Sequence, residues 1–267
     1  MITDAARRRR LAGAFAEDTD AAQAAEYDAM RPGYPKEVVE RILAAGPDGT
    51  GHRAERIVEL GAGTGILTRA LLDGGADVVA VEPSPSMAEV LRETAAPAGP
   101  GTGALEVVEA RAEETALTSG SADVVVAAQA WHWFDPQAAA AEIARLLVPG
   151  GTAAVVSNHL DVSAGWVHRL ARIMRAGDVH RPDWTPPLDP TAFEAVSTEH
   201  AGWTRALTPY GIRRLATTLS SWLAADDADR ARRRANLDWY LDEHLGLGAD
   251  EEVELPYLTV LHTARRR

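Results

Sequence analysis

The chain has 267 residues, 46% of them hydrophobic, enough to bury a substantial core as one large α/β domain or one domain with an inserted cap. Its formal net charge of −12 and pI near 5.1 describe a surface that repels phosphate backbones, which argues against nucleic acid as a partner. Cysteine is absent, which excludes disulfides, thiolate metal sites and cysteine nucleophiles, and no apolar run reaches bilayer-spanning length.

From the N-terminus, residues 1–35 are polar and alanine-rich, with helices expected around Asp4–Phe15 and Ala21–Met30. Arg7–Arg10 precede no apolar signal-peptide core, so a cytoplasmic location is expected. Arg31-Pro32-Gly33-Tyr34-Pro35 must break helix, because each proline restricts its own backbone and its predecessor's. Helix resumes over Lys36–Ala44, and Gly46–Gly51 is a loop. Short apolar strands then alternate with helices: strand Arg56–Leu60, helix Ile66–Leu72, strand Val78–Val81, helix Ser86–Thr94, strands Leu105–Glu109 and Asp123–Gln129, helix Pro136–Leu147, a tight turn at Val148-Pro149-Gly150-Gly151, and strand Thr152–Ser157. Continuous apolar strands separated by helices predict a parallel sheet covered on both faces. Beyond Ser157 the alternation stops. Residues 160–177, Gly211–Ala224 and Ala228–Leu245 read as helices, Arg181–Pro190 is irregular, and Trp203–Leu207 and Tyr257–Thr263 are candidate closing strands. The expected division is an N-terminal helical cap segment (1–45), a Rossmann-like core (46–157), and helical cap and closing strands of the same domain (158–267).

Glu59-Leu60-Gly61-Ala62-Gly63-Thr64-Gly65 joins the first strand to a helix. Its glycines permit backbone conformations closed to other residues and let a ligand approach the main chain at the carboxyl edge of the sheet. A dinucleotide site wants Gly or Ala where Ile66 stands, and a bulky residue there opposes close helix–strand packing. Glu82 ends the second strand, where a carboxylate can accept hydrogen bonds from both hydroxyls of a ribose, a role that serves NAD and S-adenosylmethionine (SAM) equally. A ligand-free glycine turn and an exposed strand-end glutamate are the bland alternatives.

These residues, with Val81-Glu82-Pro83-Ser84-Pro85-Ser86-Met87, Arg111-Ala112-Glu113-Glu114, Asp123 to Asp135 and Leu146-Leu147-Val148-Pro149-Gly150-Gly151, resemble class I SAM-dependent methyltransferases over about residues 56–157. Tyr27 to Pro35 and Leu255-Pro256-Tyr257-Leu258-Thr259 are similar to a small-molecule branch that includes trans-aconitate and quinone-biosynthesis methyltransferases. The resemblance implies a doubly wound, seven-stranded, mostly parallel sheet of order 3-2-1-4-5-7-6 with the last strand antiparallel. It also implies SAM as cofactor and S-adenosylhomocysteine as product. By the same resemblance, Gly61, Ala62, Gly63, Thr64 and Gly65 form the loop against the methionine part of SAM. Glu59 lies below that loop near the amino group, and Glu82 holds the ribose. Pro83, Ser84 and Met87 flank the adenine, Ala112 and Glu113 meet its edge, and Gln129 and Ala130 line the floor near the methyl group. Tyr27, Arg31 and Tyr34 belong to a segment folded over the cofactor. Arg31 either pairs with a carboxylate, of SAM or of the substrate, or points to solvent.

Trp131-His132-Trp133-Phe134-Asp135 follows the fourth strand, at the edge where a methyl group would lie. Aromatic faces attract cations, and a sulfonium is one, so contact by Trp133 is expected. His132 is either a general base for an acceptor hydroxyl or a structural hydrogen-bonding group. His-Glu-x-x-His, Gly-x-Ser-x-Gly and the P-loop pattern are absent, so no metal ligand set is expected. The leading reading is methyl transfer to a small organic acceptor by a monomer or homodimer, with neither nucleic acid nor membrane as partner. A non-catalytic SAM-binding module and an NAD-dependent oxidoreductase are the rivals.

Overall fold

Four parallel strands build the centre: β1 (Arg56–Leu60), β2 (Asp77–Val81), β4 (Ala122–Ala128) and β5 (Leu147–Leu160), with β3 (Leu105–Val108) on one edge. β7 (Val253–Arg265) runs antiparallel to β5 and to β6 (Ser197–Leu207), which closes the other edge and gives the order β3-β2-β1-β4-β5-β7-β6. This is the expected sheet. The computed structural model describes residues 20–47, 52–96, 99, 101–175 and 182–267. The helix expected over Asp4–Phe15 lies outside those residues, as do residues 48–51 of the Gly46–Gly51 loop and Arg181.

Strands buried on both faces need apolar residues at nearly every position, and β1 and β4 supply them except at Arg56, which is exposed at the start of β1, and at Glu59 and Asp123. One face carries Ile57, Val78, Val124, Val126 and Val156 against α2 (Lys36–Leu43), α3 (Ile66–Asp73) and α4 (Pro85–Thr94). The opposite face carries Val58, Leu60, Val81, Val125 and Val155 against α5 (Pro136–Leu146) and Phe193. Pro136 opens α5, and Asp135 caps it by accepting the Gln137 and Ala138 N–H groups at 3.1 and 3.0 Å.

A third apolar cluster lies over β6 and β7. It joins Met30 of α1 (Ala21–Met30) to α6 (Gly165–Met174), α7 (Pro209–Thr217), α9 (Asp227–Asp238) and the π-helical turn Trp239–His244; α8 (Ser220–Leu223) follows α7. The helices expected after Ser157 are thus present but broken into shorter pieces. The expected turn at Val148–Gly151 is absorbed into β5 as a bulge between the pairs Ala122–Leu147 and Val124–Thr152, with Gly150 at φ 77°. Among the described residues, no helix is long and apolar enough to cross a membrane.

Candidate functional site

Backbone hydrogen bonds tie the start of the loop between β1 and α3 to β2: the Gly61 and Ala62 N–H groups donate to the Val81 carbonyl at 2.8 and 3.1 Å. Gly61 sits at φ 68°, and a Cβ there would stand 2.7 Å from the Ala130 Cβ and 3.3 Å from the Phe134 ring. Glycine is therefore required at Gly61 both by conformation and by space. Gly63, at φ 59°, would meet nothing within 4 Å, so the side of the loop facing away from the sheet is open for a ligand to approach the main chain. Gly65 caps α3 at φ 84°.

Glu82 is buried at the end of β2, where its two carboxylate oxygens accept the Gly63 N–H at 2.8 Å and the Ser84 N–H at 2.9 Å. Burial raises its pKa, and those two hydrogen bonds oppose the rise. Each oxygen keeps further acceptor capacity, as a sugar diol would require. Glu59 lies beneath the loop with 1% exposure and accepts a 2.6 Å hydrogen bond from Thr68 Oγ1. Burial pushes its pKa up to about 8, so its carboxyl is poised to ionise when a cation arrives. An open glycine loop, a strand-end carboxylate and a buried acid below them fit an adenosine-bearing cofactor with a cationic amino group.

The aromatic turn after β4 packs against this loop. Trp131 is buried in the core with its ring 6.2 Å from Phe134, whereas His132 and Trp133 are part-exposed with rings 4.3 Å apart. Gln129 adopts φ 55°, and its Nε2 donates to the Asn158 carbonyl at 2.9 Å. Ala112 is buried, and Glu113 accepts the Asp135 N–H at 2.8 Å, which ties the segment after β3 to the aromatic turn. Pro83 is exposed and Met87 buried.

The N-terminal segment folds over the same edge. Arg69 of α3 donates to the Thr64 carbonyl at 3.0 Å and to Asp28 of α1 at 2.8 Å. Asn158 Nδ2 donates to the Gly33 carbonyl at 2.9 Å, and Arg205 Nη1 donates to the Met30 carbonyl at 2.6 Å. Arg31 stacks on the Tyr27 ring at 5.3 Å. Burial, with the Tyr27 phenol and Glu59 nearby, raises the Tyr34 pKa. A cavity of about 240 Å³ opens between Tyr27 of α1, Met87 of α4 and Trp222 of α8.

The structure thus brings Glu59, the glycine loop, Glu82, Gln129, Ala130 and the Tyr27–Tyr34 segment to one sheet edge. Sequence reasoning missed Phe134, Arg69 and Asn158. Asn158 follows the apolar run of β5 toward the carboxyl edge, a position that marks it as near the site without revealing its partners. Among the described residues there is no group of three or more side chains suited to holding a metal ion.

A family model described as a methyltransferase domain matches residues 58–155. The chain is 39% identical over 235 residues to an uncharacterised methyltransferase of Mycobacterium tuberculosis, covering 88% of this chain and 90% of that protein. It is 24% identical over 247 residues to an uncharacterised methyltransferase of Schizosaccharomyces pombe, covering 91% and 94%. A solved structure of a proposed type II methyltransferase from Anaeromyxobacter dehalogenans shares the fold, with a TM-score of 0.65 at 22% identity over 88% of this chain and 97% of that one.

Proposed function

This chain belongs to the SAM-dependent methyltransferases of class I, and we propose that it moves the methyl group to a small organic acceptor held under its helical cover. On this reading residues 46–157 form the cofactor-binding core, residues 1–45 an N-terminal cap segment, and residues 158–267 the helical cap and the closing strands of the same domain. Glu82 holds the ribose, Gly61 to Gly65 carry the methionine part, and Glu59 faces the amino group. Ser84, Met87, Ala112 and Glu113 surround the adenine. The observation that carries the assignment is the Glu82–Gly63 hydrogen bond at 2.8 Å beside a loop open above Gly63.

SAM, when bound, supplies a methyl group already activated by its sulfonium. The chain's residues then need only align an acceptor and exclude water; alignment alone is worth up to ~7–11 kcal/mol. Gln129 and Ala130 form the floor near the methyl group, and Trp133 offers a π-face to the cation. His132 takes the proton when the acceptor is a hydroxyl of high pKa and is idle when the acceptor is already anionic. A small acceptor is supported by the helices packed over β6 and β7 and by the acidic surface.

The test combines binding and transfer. S-adenosylhomocysteine at about 100-fold over its Kd should stabilise the protein by about 2.7 kcal/mol, and NAD should not. Transfer of labelled methyl to an acceptor in a metabolite panel should follow. Stabilisation by NAD alone rejects the cofactor assignment, and SAM binding without transfer across the panel favours a regulatory module.

A further inference from the structure

We propose that the Tyr257 hydroxyl and the Arg205 guanidinium form a carboxylate-binding subsite for the methyl acceptor, which makes the acceptor an organic acid. This rests on the reading of the chain as a small-molecule methyltransferase.

Strand register puts these groups together. Tyr257 pairs with Leu160 on one side and Trp203 on the other, Arg205 pairs with Leu255, and Asn158 pairs with Thr259. Paired residues share a sheet face, as do residues two apart, so Asn158, Trp203, Arg205 and Tyr257 lie on one face. They lie at the carboxyl edge of β5, beneath the Met30–Gly33 backbone that Arg205 and Asn158 grip.

Tyr257 is held rigidly: its ring stacks on Trp203 at 5.0 Å and 22°, and Trp203 Nε1 donates to Thr259 Oγ1 at 2.9 Å. Tyr257 is 4% exposed, yet its hydroxyl has no hydrogen-bond partner among the described residues. Buried hydroxyls almost always have one, and an orphan in a rigid frame beside a reaction edge marks a position that a ligand completes. Arg205 makes one hydrogen bond, to a carbonyl, and pairs with no carboxylate among the described residues. Most of its five donors therefore remain available. Burial raises the Tyr257 pKa to about 12 against the opposing influence of the Arg31 and Arg205 cations, so at neutral pH the phenol is a hydrogen-bond donor in a positive field. One O–H and one guanidinium match the two oxygens of a carboxylate; the guanidinium would serve a phosphate as well, and the experiment separates the two.

The subsite is tested on the full chain saturated with S-adenosylhomocysteine. Benzoate, succinate and citrate are titrated against benzamide, succinamide and inorganic phosphate, with binding followed by calorimetry. At least one acid should bind where its amide and phosphate do not. Tyr257→Phe and Arg205→Gln should each weaken that acid by about tenfold or more, and Tyr257→Phe should do so while leaving S-adenosylhomocysteine affinity unchanged. Tyr257→Phe keeps the stack on Trp203, so its melting temperature without ligand should equal or exceed the wild type's. A purely structural tyrosine would instead lower it. Acids binding no better than amides, binding unaltered in Tyr257→Phe, or phosphate preferred over every acid would each overturn the proposal. A fall in S-adenosylhomocysteine affinity in Tyr257→Phe would assign the subsite to the cofactor's own carboxylate and overturn it equally. Failure of S-adenosylhomocysteine to bind the wild type would reject the methyltransferase reading itself, a separate outcome.

Discussion

Glu82 and Gly63 are 19 residues apart in sequence, yet the carboxylate of the first accepts the backbone N–H of the second at 2.8 Å. The acid that follows β2 therefore organises the glycine loop, and its remaining lone pairs can accept ribose hydroxyls. Glu82→Ala removes both functions. Hydrogen bonds to charged groups are worth ~1.5–3 kcal/mol, so SAM affinity should fall roughly 10–100-fold. Glu82→Gln keeps an acceptor oxygen and should lose less. Calorimetric titration with S-adenosylhomocysteine measures both, and an unchanged Kd in Glu82→Ala would remove Glu82 from the cofactor site.

Glu59 predicts a pH dependence. Burial, first among its influences, raises its pKa from the ordinary carboxylate range to about 8, with Thr68 and Arg69 opposing and Glu82 reinforcing the shift. A carboxyl whose folded pKa is raised binds more protons folded than unfolded between those two values. Its stabilising contribution is complete below the unfolded pKa and is lost as pH rises through about 8, by at most about 1.4 kcal/mol per pH unit. Denaturation from pH 5 to 8 should show this decline in the wild type and a flatter profile in Glu59→Gln. If the cofactor's ammonium meets Glu59, binding near pH 7 should also release a proton. Calorimetry in buffers of different ionisation enthalpy detects that release; its absence would separate Glu59 from the amino group.

The strands β1, β2, β4 and β5 were legible in the sequence because burial on both faces forces near-continuous apolar runs, and Gly and Pro punctuate them. The same logic failed at β6. Ser197–Gly202 forms half of that strand, but one of its faces is open to solvent, and Ser-Thr-Glu-His-Ala-Gly carries no apolar signal. Only Trp203–Leu207, where the strand passes beneath the cap helices, read as strand. Candidate site residues were legible where the signal is local, as in the glycine loop and strand-end Glu82. Arg69, Asn158 and Tyr257 escaped because their partners are far away in sequence: the bond from Asn158 to Gly33 spans 125 residues. No short pattern encodes such a contact.

Glu142 anchors the segment that carries Ala112 and Glu113. Its carboxylate accepts the Thr115 N–H at 2.9 Å, the Thr115 hydroxyl at 2.6 Å and two Arg145 N–H groups at 2.7 Å. The Arg145 hydrogen bond, most of all, lowers its pKa to about 2. A depressed folded pKa gives stability that is present above the unfolded value and lost as pH falls toward about 2. Glu142→Gln should cost about 2–4 kcal/mol near neutrality, and the gap from wild type should narrow steadily below pH 4. Urea denaturation at pH 7 and pH 3 reads both. A gap that does not depend on pH would mean that packing, not charge, carries the effect.

Asn158 links the sheet to the segment above it. Its side chain accepts from Thr259 Oγ1 at 2.5 Å and donates to the Gly33 carbonyl at 2.9 Å, while its own carbonyl accepts from Gln129. Asn158→Leu conserves volume but leaves the Gly33 carbonyl and the Thr259 hydroxyl without this partner, and each loss of a buried partner costs ~1–3 kcal/mol. Because the Gly33 contact lies on the cover and not in the core, the consequence should be local. Amide exchange should accelerate at Arg31–Leu43 while β1 and β4 keep their protection. If the Tyr27–Tyr34 segment holds the cofactor, the KM for SAM should rise several-fold with a smaller change in kcat, since weakened closure is felt first in binding. Faster exchange spread evenly over the sheet would instead make Asn158 a core residue, and unchanged exchange at Arg31–Leu43 would show that Arg205 and Asp28 hold the segment without it.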